Sequence, residues 1–162
     1  LFFSRYGFNV LALDQSEAAL QLLQRRADGL AYFDVSKINV VNNKLPTWST
    51  EDGSCCYYAR FFLHTLTEPQ LTAFFFNLSR AMKIGDYFFT EYRNEEDKCK
   101  VKGTEEHLRS FFSADFVQRL ANQYRLTCIY DLSSDKGMAK YKIDDASVTR
   151  QIFQKVDNHD IF

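Results

Sequence analysis

Residues 7–23, running Gly-Phe-Asn-Val-Leu-Ala-Leu-Asp-Gln-Ser-Glu-Ala-Ala-Leu-Gln-Leu-Leu, constrain the fold more than any other stretch. An apolar run ends there in an acid and passes at once into a helical pattern. Residues 8–13 are nearly continuously apolar and of strand length, the character of a parallel strand covered on both faces. Asp14 closes the strand. Ser16 is placed to cap the helix that follows, with Glu17 in its first turn, and Ala19, Leu20, Leu23 and Ala27 recur at helical spacing. In open α/β sheets ligands sit outside the carboxyl ends of the strands, where an acid can accept hydrogen bonds from ribose hydroxyls. An aspartate in this place also serves as a cap or dipole partner for the helix, and both readings of Asp14 stand at this level.

A chain of 162 residues, 16% of them aromatic, suits one domain spanning residues 1–162 with a sizeable core. Its formal net charge is −1 and the charges are interspersed, so no basic face points to nucleic acid or to an anionic membrane. Cys55, Cys56, Cys99 and Cys128 show no metal-type spacing and read as reduced thiols, so no metal is expected. No apolar run reaches the length of a membrane span and the opening Leu1-Phe2-Phe3 shows no charged n-region of a leader, which makes a cytoplasmic location the default expectation. Small-molecule chemistry fits these totals best.

Further along, residues 1–6 read as the last turn of a helix ended by Gly7. Residues 30–35 read as a strand carrying Asp34 and Val35 near its end. Residues 36–54 form a polar connection, and Cys55 and Cys56 lead into Tyr57-Tyr58-Ala59-Arg60-Phe61-Phe62-Leu63-His64, a strand end that runs into the next helix. Thr67 and Gln70 make a capping box for a helix with Leu71, Phe74, Phe75, Leu78, Ala81 and Met82 on one stripe, and Gly85 is expected to end it. Residues 87–90 form a strand followed by Glu91-Tyr92-Arg93, then a charged surface loop over 94–103. Ser113 caps a helix with Phe116, Val117, Leu120, Ala121 and Tyr124 on one face. Two strands close the chain, over 126–132 and 148–153, with no helix between them.

These features resemble the class I S-adenosylmethionine-dependent methyltransferases from their second strand to their last. The resemblance rests on Asp14, the Arg60-to-His64 segment, Glu91-Tyr92-Arg93, the Lys83-Ile84-Gly85-Asp86 turn and the terminal antiparallel pair. It implies an α/β, Rossmann-like sheet flanked by helices, mostly parallel with an antiparallel carboxyl-terminal hairpin. The chain starts at Leu1 and contains no GxGxG, so it reads as an amino-terminally truncated member that lacks the first strand and its glycine-rich loop. A fragment of that kind is expected to be inactive alone, and either to fold poorly or to pair its second strand directly with its fourth.

By the same resemblance, S-adenosylmethionine is the expected cofactor, with Asp14, Gln15 and Ser16 at the ribose, Asp34 and Val35 at the adenine, and Ala59 and Arg60 lining the pocket. His64 and Glu91 are the candidate catalytic bases. His64 beside Phe and Leu also reads as a packing residue, and Glu91 with Arg93 as a solvated pair. Arg60, Arg93, His107 and Arg109 are the candidate substrate contacts, since guanidinium forks suit an anionic or hydroxylated small molecule. Two other readings remain: a non-catalytic Rossmann-like relic or interaction domain, and an NAD-dependent enzyme, which the antiparallel ending disfavours.

Overall fold

The computed structural model describes residues 1–48, 53–100, 109–141 and 144–157. They form two compact units, Leu1–Leu45 and Pro46–Phe162.

The first unit contains helix α1 (Phe2–Arg5), strand β1 (Val10–Asp14), helix α2 (Glu17–Arg26) and strand β2 (Phe33–Lys37). β1 and β2 are parallel, in register from Val10 opposite Phe33 to Asp14 opposite Lys37. The Ser16 hydroxyl accepts a hydrogen bond from the Ala19 N–H, while Glu17 and the pair Arg25 and Arg26 complement the two ends of the helix dipole. Only Leu20 and Ala27 of the expected stripe are buried, and Ala19 is exposed. With just two strands beneath it, α2 has a narrow face to cover.

Both strand boundaries differ from the sequence reading. β1 starts at Val10 because Phe8 turns outward, its ring set edge-on against Phe3. β2 starts at Phe33 rather than residue 30, because the chain spends residues 27–32 leaving α2: Leu30 N–H bonds to the Ala27 carbonyl and Gly29 takes φ +79°.

The second unit holds strand β3 (Cys56–Arg60), helix α3 (Glu68–Ala81), strand β4 (Tyr87–Arg93), helix α4 (Ala114–Gln123), strand β5 (Leu126–Ser134), the short strands β6 (Lys140–Tyr141) and β7 (Asp144–Asp145), and strand β8 (Val148–Lys155). The sheet order is β3-β4-β8-β5. β3 and β4 are parallel, and β8 runs antiparallel to both its neighbours, as the terminal pair of the sequence predicted. Among the described residues β1 pairs only with β2, and β3 only with β4. The direct pairing of second and fourth strands considered above is therefore not formed.

One face of this sheet is the core. Phe88 and Phe153 stack across β4 and β8, and Phe75 of α3 meets both edge-on. α3 begins with the expected box, the Gln70 side chain accepting from the Thr67 N–H, and α4 begins with Ser113 accepting from the Phe116 N–H. α3 stops at Ala81 with Met82 extended, so Gly85 is not its cap. Gly85, at φ +88°, instead makes the turn into β4, with the Asp86 carboxylate accepting from the N–H groups of Lys83 and Cys55. The opposite face of the sheet carries Tyr58, Arg60, Phe89, Glu91, Arg150 and Ile152 in register across β3, β4 and β8. No helix among the described residues is long and apolar enough to cross a membrane.

Candidate functional site

Parallel strands present their carboxyl ends together, and two such rims exist, one in each unit. In the first unit the rim is made by Asp14, Gln15 and Ser16 after β1 and by residues 38–43 after β2. One Asp14 oxygen accepts from the Ser16 N–H at 2.8 Å; the other has no partner among the described residues, and the side chain is exposed. Gln15 is tied across the rim by a 3.0 Å hydrogen bond from the Asn39 amide to its side-chain oxygen. Asn39 in turn organises its own loop, its Oδ1 accepting from the N–H groups of Val41 and Asn42.

Asp34 and Val35 do not reach this rim. They sit opposite Leu11 and Ala12, and Asp34 lies three residues short of the strand's last, Lys37, which is about 10 Å at strand rise. β2 starts later than its apolar residues suggest, which places Asp34 and Val35 within the strand and not after it. Asn39 occupies the rim position instead, hidden from sequence reasoning inside a run of ordinary loop residues.

In the second unit β3 ends at Arg60, and Phe61 follows at φ +53°, a left-handed conformation unfavourable for a bulky side chain. It is held there by a 2.7 Å bond from its N–H to the Glu91 carbonyl. The Phe61 ring packs on the Ala139, Ala146 and Val148 cluster beside Met138, with the guanidinium groups of Arg60 and Arg93 over it and His64 edge-on.

β4 continues to Arg93 because β8 pairs with it beyond the end of β3, Arg93 facing Val148. Glu91 and Arg93 are accordingly strand residues. The Glu91 side chain is 7% exposed; its Oε1 accepts from Arg60 Nε at 2.8 Å and its Oε2 from Arg150 Nε at 2.5 Å. The Glu91 hydrogen bond is also the main reason the Arg60 pKa lies above its ordinary value. With both oxygens occupied by guanidinium groups, Glu91 is an anchor for two arginines.

Arg93 is likewise held in ion pairs. Its Nη1 donates to Asp97 at 2.7 Å and its Nη2 to Asp144, and all three side chains are buried. Burial pulls the Arg93 pKa down, but the hydrogen bonds to Asp144 and Asp97 outweigh it and the guanidinium ends above its usual range. Asp97, 0% exposed, also accepts from the Ser147 N–H, so the start of the expected surface loop is anchored in the interior. His64 is buried too: its Nδ1 accepts from the Arg93 N–H and its carbonyl from the Ser110 N–H. This is the packing reading of His64, and it leaves Nδ1 engaged.

Ala59 lies in β3 opposite Thr90, half-buried. Arg109 is half-buried, immediately after the stretch 101–108; His107 lies outside the described residues. All four cysteines are unbridged, and no group of acids, His and Cys suited to a metal occurs among the described residues. Arg150 is the residue sequence reasoning missed in this unit. It is an unremarkable member of a terminal strand until strand pairing sets it beside Glu91.

No protein-family model and no curated protein matches the chain. Solved structures do. An S-adenosylmethionine-dependent methyltransferase from Methanosarcina mazei superposes with TM-score 0.77 at 13% identity, over 96% of this chain and 85% of that one. The N-methyltransferase NodS from Bradyrhizobium japonicum, solved in complex with S-adenosyl-L-homocysteine, gives 0.64 at 13% identity, over 91% and 66%. The chain has the fold of the class I S-adenosylmethionine-dependent methyltransferases. The [4+2]-cyclase SpnF also shares the architecture, with TM-score 0.72 at 12% identity over 96% of this chain and 70% of that one. A methyltransferase fold therefore does not by itself specify methyl transfer.

Proposed function

We propose that this chain is part of an enzyme that transfers a methyl group from S-adenosylmethionine to a small-molecule acceptor. The observation that carries the reading is Asp14: a strand-end carboxylate, exposed, with one oxygen braced by the Ser16 N–H and the other without a partner among the described residues. That geometry suits a pair of ribose hydroxyl donors, since a braced carboxylate has little freedom to lose on accepting them. The Gln15 and Asn39 side chains, already linked, offer polar groups beside it.

When bound, S-adenosylmethionine supplies an electrophilic methyl group on a sulfonium. The protein's part is to hold the acceptor in line and exclude water, which contributes more to such a transfer than a strong acid or base. This suits a site in which Glu91 is fully engaged and His64 is packed away.

Calorimetric titration with S-adenosylhomocysteine tests the proposal. Asp14→Ala is expected to weaken binding by about 1.5 to 3 kcal/mol, the scale of hydrogen bonds to a charged group. Wild-type affinity in a folded Asp14→Ala variant of the full-length protein would remove Asp14 from the site, and no binding by the full-length wild type would remove the cofactor.

A further inference from the structure

The row Arg60–Glu91–Arg150 lies where β3 ends, on the sheet face opposite the Phe88 and Phe153 core, and the three residues are direct neighbours in strand register. Glu91 is buried beneath the two arginines, whose side chains remain 51% and 42% exposed. Each guanidinium spends its Nε on a different Glu91 oxygen. Arg150 also donates from Nη2 to the Met138 carbonyl, whereas both terminal nitrogens of Arg60 and the Nη1 of Arg150 have no hydrogen-bond partner among the described residues. The result is a pair of charged forks oriented by one acid, with N–H groups left to offer. Phe61, held in its left-handed conformation, and Met138 provide an apolar neighbour to the pair.

We propose that Arg60 and Arg150 together bind a single carboxylate, and that the methyl acceptor is a small carboxylic acid with an apolar or aromatic body. The charge count selects the class of anion. Two guanidinium groups and one carboxylate leave a net charge of +1 in the row. A monoanionic carboxylate balances that charge, whereas a dianionic phosphate ester leaves an excess negative charge beside Glu91. Planar guanidinium groups also match the planar carboxylate fork. The anion site stands on the geometry of the row; its being the acceptor site rests on the methyltransferase reading. In this scheme Glu91 is a positioning residue.

The test uses benzoate and phenyl phosphate as probes, titrated into the protein by NMR at a pH where the ester is a dianion, with S-adenosylhomocysteine binding measured in parallel. Benzoate is expected to bind in preference to the ester. Arg60→Met and Arg150→Met should each weaken benzoate about tenfold or more while leaving the circular dichroism spectrum unchanged. If a Met variant fails to fold, Arg60→Lys, which keeps the charge and loses the fork, should still weaken benzoate. Glu91→Gln raises the row to a net +2 and should shift preference towards phenyl phosphate. A wild-type preference for the ester, or benzoate binding indifferent to Arg60 and Arg150, would overturn the site. Benzoate binding without S-adenosylhomocysteine binding would keep the site and sink the acceptor assignment; the reverse result would sink the site alone.

Discussion

Tyr57 and Tyr92 show how single side chains couple this fold to pH. The Tyr57 hydroxyl donates to the Ala81 carbonyl at 3.0 Å and that of Tyr92 to Gln151 Oε1 at 2.9 Å. Burial is the main cause that raises both phenols above their ordinary pKa of 10.0, with Asp86 adding to the effect at Tyr57 and Asp131 at Tyr92. A group whose folded pKa is raised contributes stability that is full below the unfolded pKa and is lost as pH climbs towards the folded one. Urea midpoints should therefore hold up to about pH 10, the free-phenol value, and fall above it. Tyr57→Phe should lower stability near neutrality by about 0.5 to 1.5 kcal/mol through the lost hydrogen bond, while flattening the alkaline decline. An alkaline slope identical in the variant would show that Tyr57 carries none of it.

Between elements, the carboxyl end of β4 is joined to the 95–97 turn and to β7 by one buried guanidinium. Arg93 reaches Asp97 and Asp144, and Asp97 holds the Ser147 N–H. Nearby, Met138, Ala139 and Ala146 pack with Phe61 at the end of the sheet. Removing Arg93 leaves two buried carboxylates without this partner, and breaking a buried ion pair from one side costs about 3 to 5 kcal/mol. Arg93→Met should lower stability on that scale and raise hydrogen exchange in residues 135–140 and 144–147 first, whereas Asp144→Asn, which keeps a hydrogen-bond acceptor, should cost less. Chemical denaturation with exchange mass spectrometry separates the two. Equal losses in both variants would count against the charge argument.

Over the whole molecule, burial is uneven. The second unit has a four-stranded sheet with an aromatic core of Phe75, Phe88 and Phe153, all nearly sealed from solvent, while the first has a two-stranded one and, among the described residues, buries little beyond Ser4, Leu20, Ala27 and Leu45. Two-stranded sheets are marginal, and local opening follows the number of buried apolar contacts. Amides of β4 and β8 are thus expected to exchange slowest and those of β1 and β2 far faster; equal protection in the two units would refute this. The same contrast marks what the chain's order of residues determined alone. Caps at Ser16, Thr67 and Ser113, the apolar stripe of α3 and the antiparallel ending are local patterns, set by hydrogen bonds and periodicities spanning a few residues, and the sequence alone predicted them. Where β2 starts, how far β4 extends, and the partnering of Glu91 with Arg150, 59 residues apart, were decided only by tertiary structure. Strand register places one side chain beside another through backbone pairing between distant segments, and that pairing has no trace in the sequence around either residue.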